Sequence, residues 1–120
     1  MSHPAEPPPE LSVVIACYME ESHLTDSVAE LTRTLDGMGR SYELIFVEDK
    51  STDRTAELVR ALVAGHSNRR AVFHDQNVGR GGTVREGFLM ARGRIVGFLD
   101  IDLEVHCKSL PDVLAPIDAG

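Results

Sequence analysis

A chain of 120 residues, 42% hydrophobic and 26% charged, suits one compact domain with a real core and leaves no room for two. Nineteen acidic against twelve basic residues give a net charge of −7, the wrong sign for a general nucleic-acid or anionic-membrane binder. Two cysteines cannot staple a disulfide scaffold, no apolar run reaches the roughly 18 residues of a membrane span, and Met1–Glu10 has no secretory-signal core, so a soluble, cytoplasmic chain is expected.

The first ten residues, MSHPAEPPPE, read as an extended, disordered tail, and the domain is expected to occupy residues 11–120. Leu11 to Cys17 is a nearly continuous β-branched run, the pattern of a strand buried on both faces. Leu24, Val28, Leu31, Leu35 and Met38 recur at helical spacing, with Gly37 and Gly39 as the stop. Tyr42 to Val47 predicts a second buried strand. Ser51 or Thr52 offers an N-cap to a helix striped by Ala56, Val59 and Leu62. Ala71 to His74 reads as a third strand, followed by a glycine-rich turn and a helix lined by Val84, Phe88 and Ala91. Ile95 to Leu99 is a fourth strand. Ser109 to Asp112 then opens a last helix through Val113, Leu114 and Ile117. Strands alternating with helices imply an α/β fold, a parallel sheet of about four strands with helices on both faces. Ligands bind such sheets outside the carboxyl ends of the strands, so the residues there carry the functional argument.

Those ends are distinctive. The first strand leads into Tyr18-Met-Glu-Glu21, the second into Glu48-Asp-Lys-Ser-Thr-Asp53, and the fourth into Asp100-Ile-Asp-Leu-Glu104. The third leads into Asn77-Val-Gly-Arg-Gly-Gly-Thr-Val-Arg85. Clustered carboxylates repel one another unless something cationic joins them. Asp100, Asp102 and Glu104 alternate as hard oxygen ligands of a divalent ion would on extended chain.

Taken together, these stretches resemble the nucleotide-sugar half of the family 2 glycosyltransferases, which have the Rossmann-like GT-A fold. Val14-Ile-Ala-Cys-Tyr-Met-Glu-Glu21 looks like that family's V-I-P-A-Y-N-E-E, and Val47-Glu-Asp-Lys-Ser-Thr-Asp-Arg-Thr55 is similar to V-D-D-G-S-T-D-x-T. Asn77 to Gly87 follows N-x-G-K-G-x-A-V-R-x-G. Phe98 to Glu104 resembles F-x-D-A-D-L-Q, the form of the dolichol- and polyprenyl-phosphate sugar transferases. The resemblance runs from Leu11 to about Pro111.

It implies a donor domain for a UDP- or GDP-sugar, held through Mg²⁺ or Mn²⁺ at a DxD motif. Inverting transfer to a polyprenyl-phosphate or similar acceptor would follow. Carried over by position, Tyr18 and Glu20 would hold the nucleotide, and Glu48 and Asp49 would read base and ribose. Gly79 would allow close backbone approach, and Arg80 and Arg85 would meet phosphate oxygens. Asp100 would touch the sugar nucleotide, with Asp102, Asp100 and Glu104 around the metal. Tyr18 has the equal alternative of packing on the sheet edge, Arg85 that of pairing with a neighbouring acid. Asp53 reads as an early-helix carboxylate favoured by the helix dipole. Cys17 reads as a small buried hydrophobe, and His23, His66 and His74 as surface or core residues.

Ala16-Cys17-Tyr18-Met19 replaces the family's Pro-Ala-Tyr-Asn, and Lys50 its glycine. Lys50 either pairs with Glu48 or approaches a diphosphate. The catalytic base is expected in an acceptor half that would follow the DxD. The open sheet edge is expected to be covered by that half or by a second copy. The alternative is a non-catalytic sugar-nucleotide module or truncated remnant. A phosphoacceptor domain would need an acceptor Asp directly after the third strand and a later lysine. Here the stretch is His74-Asp75-Gln76, with no such lysine. A nucleotidyltransferase would carry its glycine loop after the first strand, where Glu20 and Glu21 stand.

Overall fold

The computed structural model describes residues 8–100. Its elements follow in the order β1 (Leu11–Cys17), α1 (Leu24–Met38), β2 (Tyr42–Glu48), α2 (Thr55–Val63), β3 (Arg69–Phe73), α3 (Gly79–Met90) and β4 (Ile95–Asp100). The strands form one parallel sheet in the order β3-β2-β1-β4. The last helix expected from sequence, the acidic residues Asp102 and Glu104, and most of the amino-terminal tail lie outside the described residues.

Strand β1 is central, and its burial on both faces explains why its sequence does not alternate. Its odd-numbered side chains, Leu11, Val13, Ile15 and Cys17, pack with Leu44, Phe46, the α1 stripe and Val59 of α2. The opposite face gathers Val14, Ile45 and Val47 beneath Met90, Ala91 and Val96. Helices α1 and α2 thus cover one face and α3 the other. Helix α1 buries Leu24, Val28, Leu31 and Leu35 and ends where Gly39, at φ 70°, donates its N–H to the Asp36 carbonyl.

Helix α3 departs from the sequence expectation. Gly79 has the positive φ expected of a turn, 86°, but as the first residue of the helix, and Gly81 and Gly82 lie within the first turn of α3 rather than before it. Its inward face is Thr83 and Gly87, whereas Phe88 is exposed. The cause is close approach: a Cβ added at Gly87 would stand 2.2 Å from a γ-methyl of Val14. Gly81, Gly82 and Gly87 cost the helix roughly 2–3 kcal/mol relative to alanine, whereas the positive φ of Gly79 favours glycine. Tight packing on the sheet and the capping described below offset that cost.

At the amino-terminal edge of the sheet, Glu43 is 1% exposed and is satisfied by many donors. Ser12 Oγ donates to it at 2.6 Å, the Arg92 amide at 2.8 Å and Arg70 Nη2 at 3.0 Å. Burial pushes its pKa up, but these donors more than offset that, and the net shift is downward. This network pins β1, β2, β3 and the exit of α3 far from the carboxyl ends. No helix among the described residues is long and apolar enough to cross a membrane.

Candidate functional site

The chain runs outward from β1 through β2 to β3, then α3 carries it back over the other face to β4. Strand order therefore reverses beside β1, and helices leave the sheet toward opposite faces there. A crevice opens at that switch point on the carboxyl edge. It measures about 270 Å³ and is lined by Ala16, Cys17, Tyr18 and Glu20 from β1 and its loop. Asp49 and Asn77 line it from the ends of β2 and β3, and Gly79, Arg80 and Thr83 from α3.

The loop after β1 is fastened to the loop after β2. The Met19 amide donates to Ser51 Oγ at 2.9 Å, the Glu20 amide to Thr55 Oγ1 at 2.8 Å and the Glu21 amide to Asp53 Oδ2 at 3.3 Å. In return the Thr52 amide and hydroxyl approach Met19 Sδ at 3.4 and 3.3 Å, and the Arg54 amide donates to Glu21. Ser51 and Thr52 are thus not the N-cap of α2. The cap residue is Arg54, and it makes no side-chain cap bond. Asp53 accepts from the Thr55 amide at 2.9 Å and from its hydroxyl. Burial opposes ionisation of Asp53, yet the Thr55 donors and the Glu21 amide hold its pKa below the usual value. The departures from the family pattern meet here: Met19 has φ 57° and Lys50 has φ 61°. Both occupy the left-handed region, which suits the asparagine and glycine they replace.

Behind the crevice, Glu48 is 2% exposed and accepts from the Ser51 amide at 3.0 Å and from the Ser51 hydroxyl. Burial, then the carboxylates of Glu48 and Glu20, push the Cys17 thiol far up, so it stays protonated and inert.

Asp49 is the hub of the crevice wall. One oxygen accepts from the Val78 amide at 2.8 Å and the other from the Gly79 amide at 2.9 Å. Its own carbonyl accepts from Asn77 Nδ2 at 2.9 Å. A carboxylate from just after β2 thereby caps the amino terminus of α3, opposite charge against the positive end of the dipole. His74, at the end of β3, sets Nδ1 at 2.8 Å from Asp49 Oδ1 and pairs Nε2 with Glu86 of α3. Burial disfavours charge on both groups. For Asp49 the Val78 and Gly79 amides and His74 outweigh it and lower the pKa. For His74 the two carboxylates outweigh it and raise the pKa.

Of the residues singled out in the sequence, the structure brings Tyr18, Glu20, Asp49, Gly79 and Arg80 to one crevice. Glu48 stands behind it, and Arg85 is not among the lining residues. Asp100 ends β4 with its backbone in register with Ala16; nothing is described of its side chain, nor of Asp102 and Glu104. Among the described residues, no three His, Cys, Asp or Glu side chains gather as a metal site. Sequence reasoning missed the bracing role of Ser51, Thr52 and Thr55 and the pairing of His74 with Asp49 and Glu86. Only the run of short hydroxyl residues after β2 signalled the first, and nothing local signalled the second.

These features define an open, doubly wound α/β protein with its crevice at the carboxyl edge of a parallel sheet. The chain belongs to glycosyl transferase family 2, whose model matches residues 12–120. Among curated proteins it is similar to the undecaprenyl-phosphate 4-deoxy-4-formamido-L-arabinose transferase of Edwardsiella ictaluri (strain 93-146). The two are 32% identical over 111 residues, which is 92% of this chain and 34% of that protein. The protein of the same name from Shewanella sediminis (strain HAW-EB3) is 30% identical with the same coverage. The chain thus spans about a third of the length of these relatives. Among solved structures, S. aureus TarS 1–349 in complex with UDP-GlcNAc matches with a TM-score of 0.70 and 25% identity, over 92% of this chain and 31% of that one. The mannosyltransferase PcManGT from Pyrobaculum calidifontis, in complex with GDP-Man and Mn²⁺, matches with a TM-score of 0.60 and 26% identity, over 79% and 28%. The fold is the Rossmann-like GT-A arrangement of such glycosyltransferases.

Proposed function

We propose that this chain is the donor-binding part of a glycosyltransferase that takes a UDP- or GDP-sugar and delivers the sugar, with inversion, to a polyprenyl-phosphate acceptor. The observation that carries the reading is the crevice at the switch point, where Tyr18, Glu20, Asp49, Gly79 and Arg80 converge from three elements. The solved relatives that hold UDP-GlcNAc and GDP-Man with Mn²⁺ support the donor class. The curated relatives support the acceptor class.

In this reading Tyr18, 46% exposed at the mouth, offers a ring face to a base. Glu20 and Asp49 are acceptors suited to ribose hydroxyls and base N–H groups. Beside the start of α3, Arg80 offers a guanidinium fork for diphosphate oxygens. Asp100, Asp102 and Glu104 supply hard oxygen donors, the set that Mg²⁺ or Mn²⁺ takes, starting from a β4 residue in register with the crevice wall. A divalent ion held there would neutralise charge on the departing nucleoside diphosphate. We assign the base that deprotonates the acceptor to the part of such an enzyme that lies outside the third of its relatives matched by this chain.

Calorimetric titration with UDP and GDP, with Mn²⁺ present and then chelated, tests this. Metal-dependent binding of one nucleotide is expected, and Asp102→Asn is expected to weaken it at least tenfold. Binding of neither nucleotide to the folded chain refutes the reading.

A further inference from the structure

The pairing of His74 reaches beyond capping. Its ring is 11% exposed and lies between two carboxylates on different elements, Asp49 after β2 and Glu86 on α3. A neutral imidazole has one N–H donor and one bare lone pair, while an ionised carboxylate only accepts. Both ring nitrogens facing carboxylate oxygens therefore call for a proton on each. Asp49 in turn is fixed by the two amides that open α3. We infer that His74 is the positioning residue of the crevice, a doubly protonated imidazolium that holds Asp49 against the start of α3. Loss of that proton sets a ring lone pair against a carboxylate and loosens the wall formed by Asp49, Gly79 and Arg80.

Among the described residues, the ionisable groups that act on the ring are Asp49 and Glu86, and both favour the imidazolium against the opposing effect of burial. The clamp is therefore intact below the ordinary histidine value of 6.5 and is lost as pH rises through the higher folded value. On the acid side it is lost only as Asp49 takes up a proton, below its ordinary 3.8. Its consequence for ligand binding rests on the donor-site reading above, but the charge state of His74 does not.

Imidazole ¹⁵N–¹H correlation spectra of the full chain, without nucleotide, test the inference. The His74 signal is assigned by its disappearance in His74→Gln. The titration midpoint is expected above 6.5, and below it both ring nitrogens are expected to carry protons. Glu86→Gln, at a side chain 41% exposed, keeps the fold and is expected to lower that midpoint. Amide exchange at one fixed pH reads the positioning. Val78 and Gly79 are expected to exchange about tenfold faster in His74→Gln, as suits loss of a charge-assisted bond. A ring with one bare nitrogen and the proton on Glu86, an unchanged midpoint in Glu86→Gln, or unchanged exchange in His74→Gln overturns the inference. In calorimetry, wild-type affinity for UDP or GDP is expected to fall severalfold as pH rises through the midpoint, and that of His74→Gln to stay flat beyond the nucleotide's own titration. A profile shared by both proteins also overturns it. Binding of neither nucleotide at any pH refutes the donor reading, and the spectra then judge His74 alone.

Discussion

Replacing Gly87 by alanine sets two effects against each other. Alanine is the better helix former by about 1 kcal/mol, so on propensity alone the variant gains stability. Sterically it cannot fit: the new methyl would stand 2.2 Å from one γ-methyl of Val14, 3.0 Å from the other and 3.2 Å from Val14 Cβ. Carbon atoms settle at about 3.5–4.0 Å, so the nearest contact is short by more than an ångström. Val14 is wholly buried on the central strand and stiff about χ1, and no rotation moves its Cβ, which itself would lie only 3.2 Å away. Helix α3 must lift from the sheet. Overpacking of this kind costs about 1–3 kcal/mol, and a contact this short belongs to the upper half. The net expectation is a loss of about 1–2 kcal/mol, or on the order of 5–15 °C in Tm. Urea denaturation followed by circular dichroism measures it. The control is the same substitution in Val14→Ala, where the γ-methyls are gone and the alanine is expected to be neutral or stabilising. Gly87→Ala that stabilises the wild type, or costs as much beside Val14→Ala, would refute the reasoning.

Lys50→Gly is expected to raise stability by about 0.5–1 kcal/mol, since relief of the left-handed backbone outweighs the added freedom of the unfolded chain; a lowered urea midpoint would contradict this. Glu43→Ala strands the donors of Ser12, Arg70 and Arg92 and is expected to cost about 3–5 kcal/mol. Because Glu43 stands at the opposite edge of the sheet, calorimetry on the still-folded fraction is expected to return unchanged nucleotide affinity. The His74 pKa is raised on folding, so its contribution to stability is complete below 6.5 and fades as pH rises through the folded value. The wild-type urea midpoint is therefore expected to fall toward alkaline pH more steeply than that of His74→Gln, and parallel profiles would count against the clamp.

The parts of the fold that were legible in sequence are those fixed by local pattern. Leu11–Cys17 and Leu24–Met38 carry uninterrupted apolar signals and a glycine stop, and both elements have the expected bounds. The start of α3 was illegible because its stabiliser is remote: Asp49, some thirty residues earlier, caps the Val78 and Gly79 amides and so lets a helix begin at a glycine-rich stretch. Phe88 was expected inward by size, whereas the close approach of α3 to Val14 selects Thr83 and Gly87 for that face. Ser51 and Thr52 have the chemistry of N-caps, but the amide and sulfur of Met19 take up their hydrogen-bonding groups. Tyr18, Glu20, Asp49 and Arg80 were found because strand ends in such a sheet converge. His74 was missed because its partners lie 25 and 12 residues away in sequence.

The hydrogen bonds that join Tyr18–Glu21 to Ser51–Thr55 have a thermodynamic corollary. Two loops fastened at five backbone amides and a thioether move as one body, and the entropy of ordering them is lost when the chain folds. A ligand that enters the crevice beside them meets a wall already in place, so its binding free energy is not spent on immobilising that wall. Discrimination among ligands then falls to shape and donor placement within a fixed mould, and variants that cut the fastening would bind more weakly while tolerating a wider range of ligands.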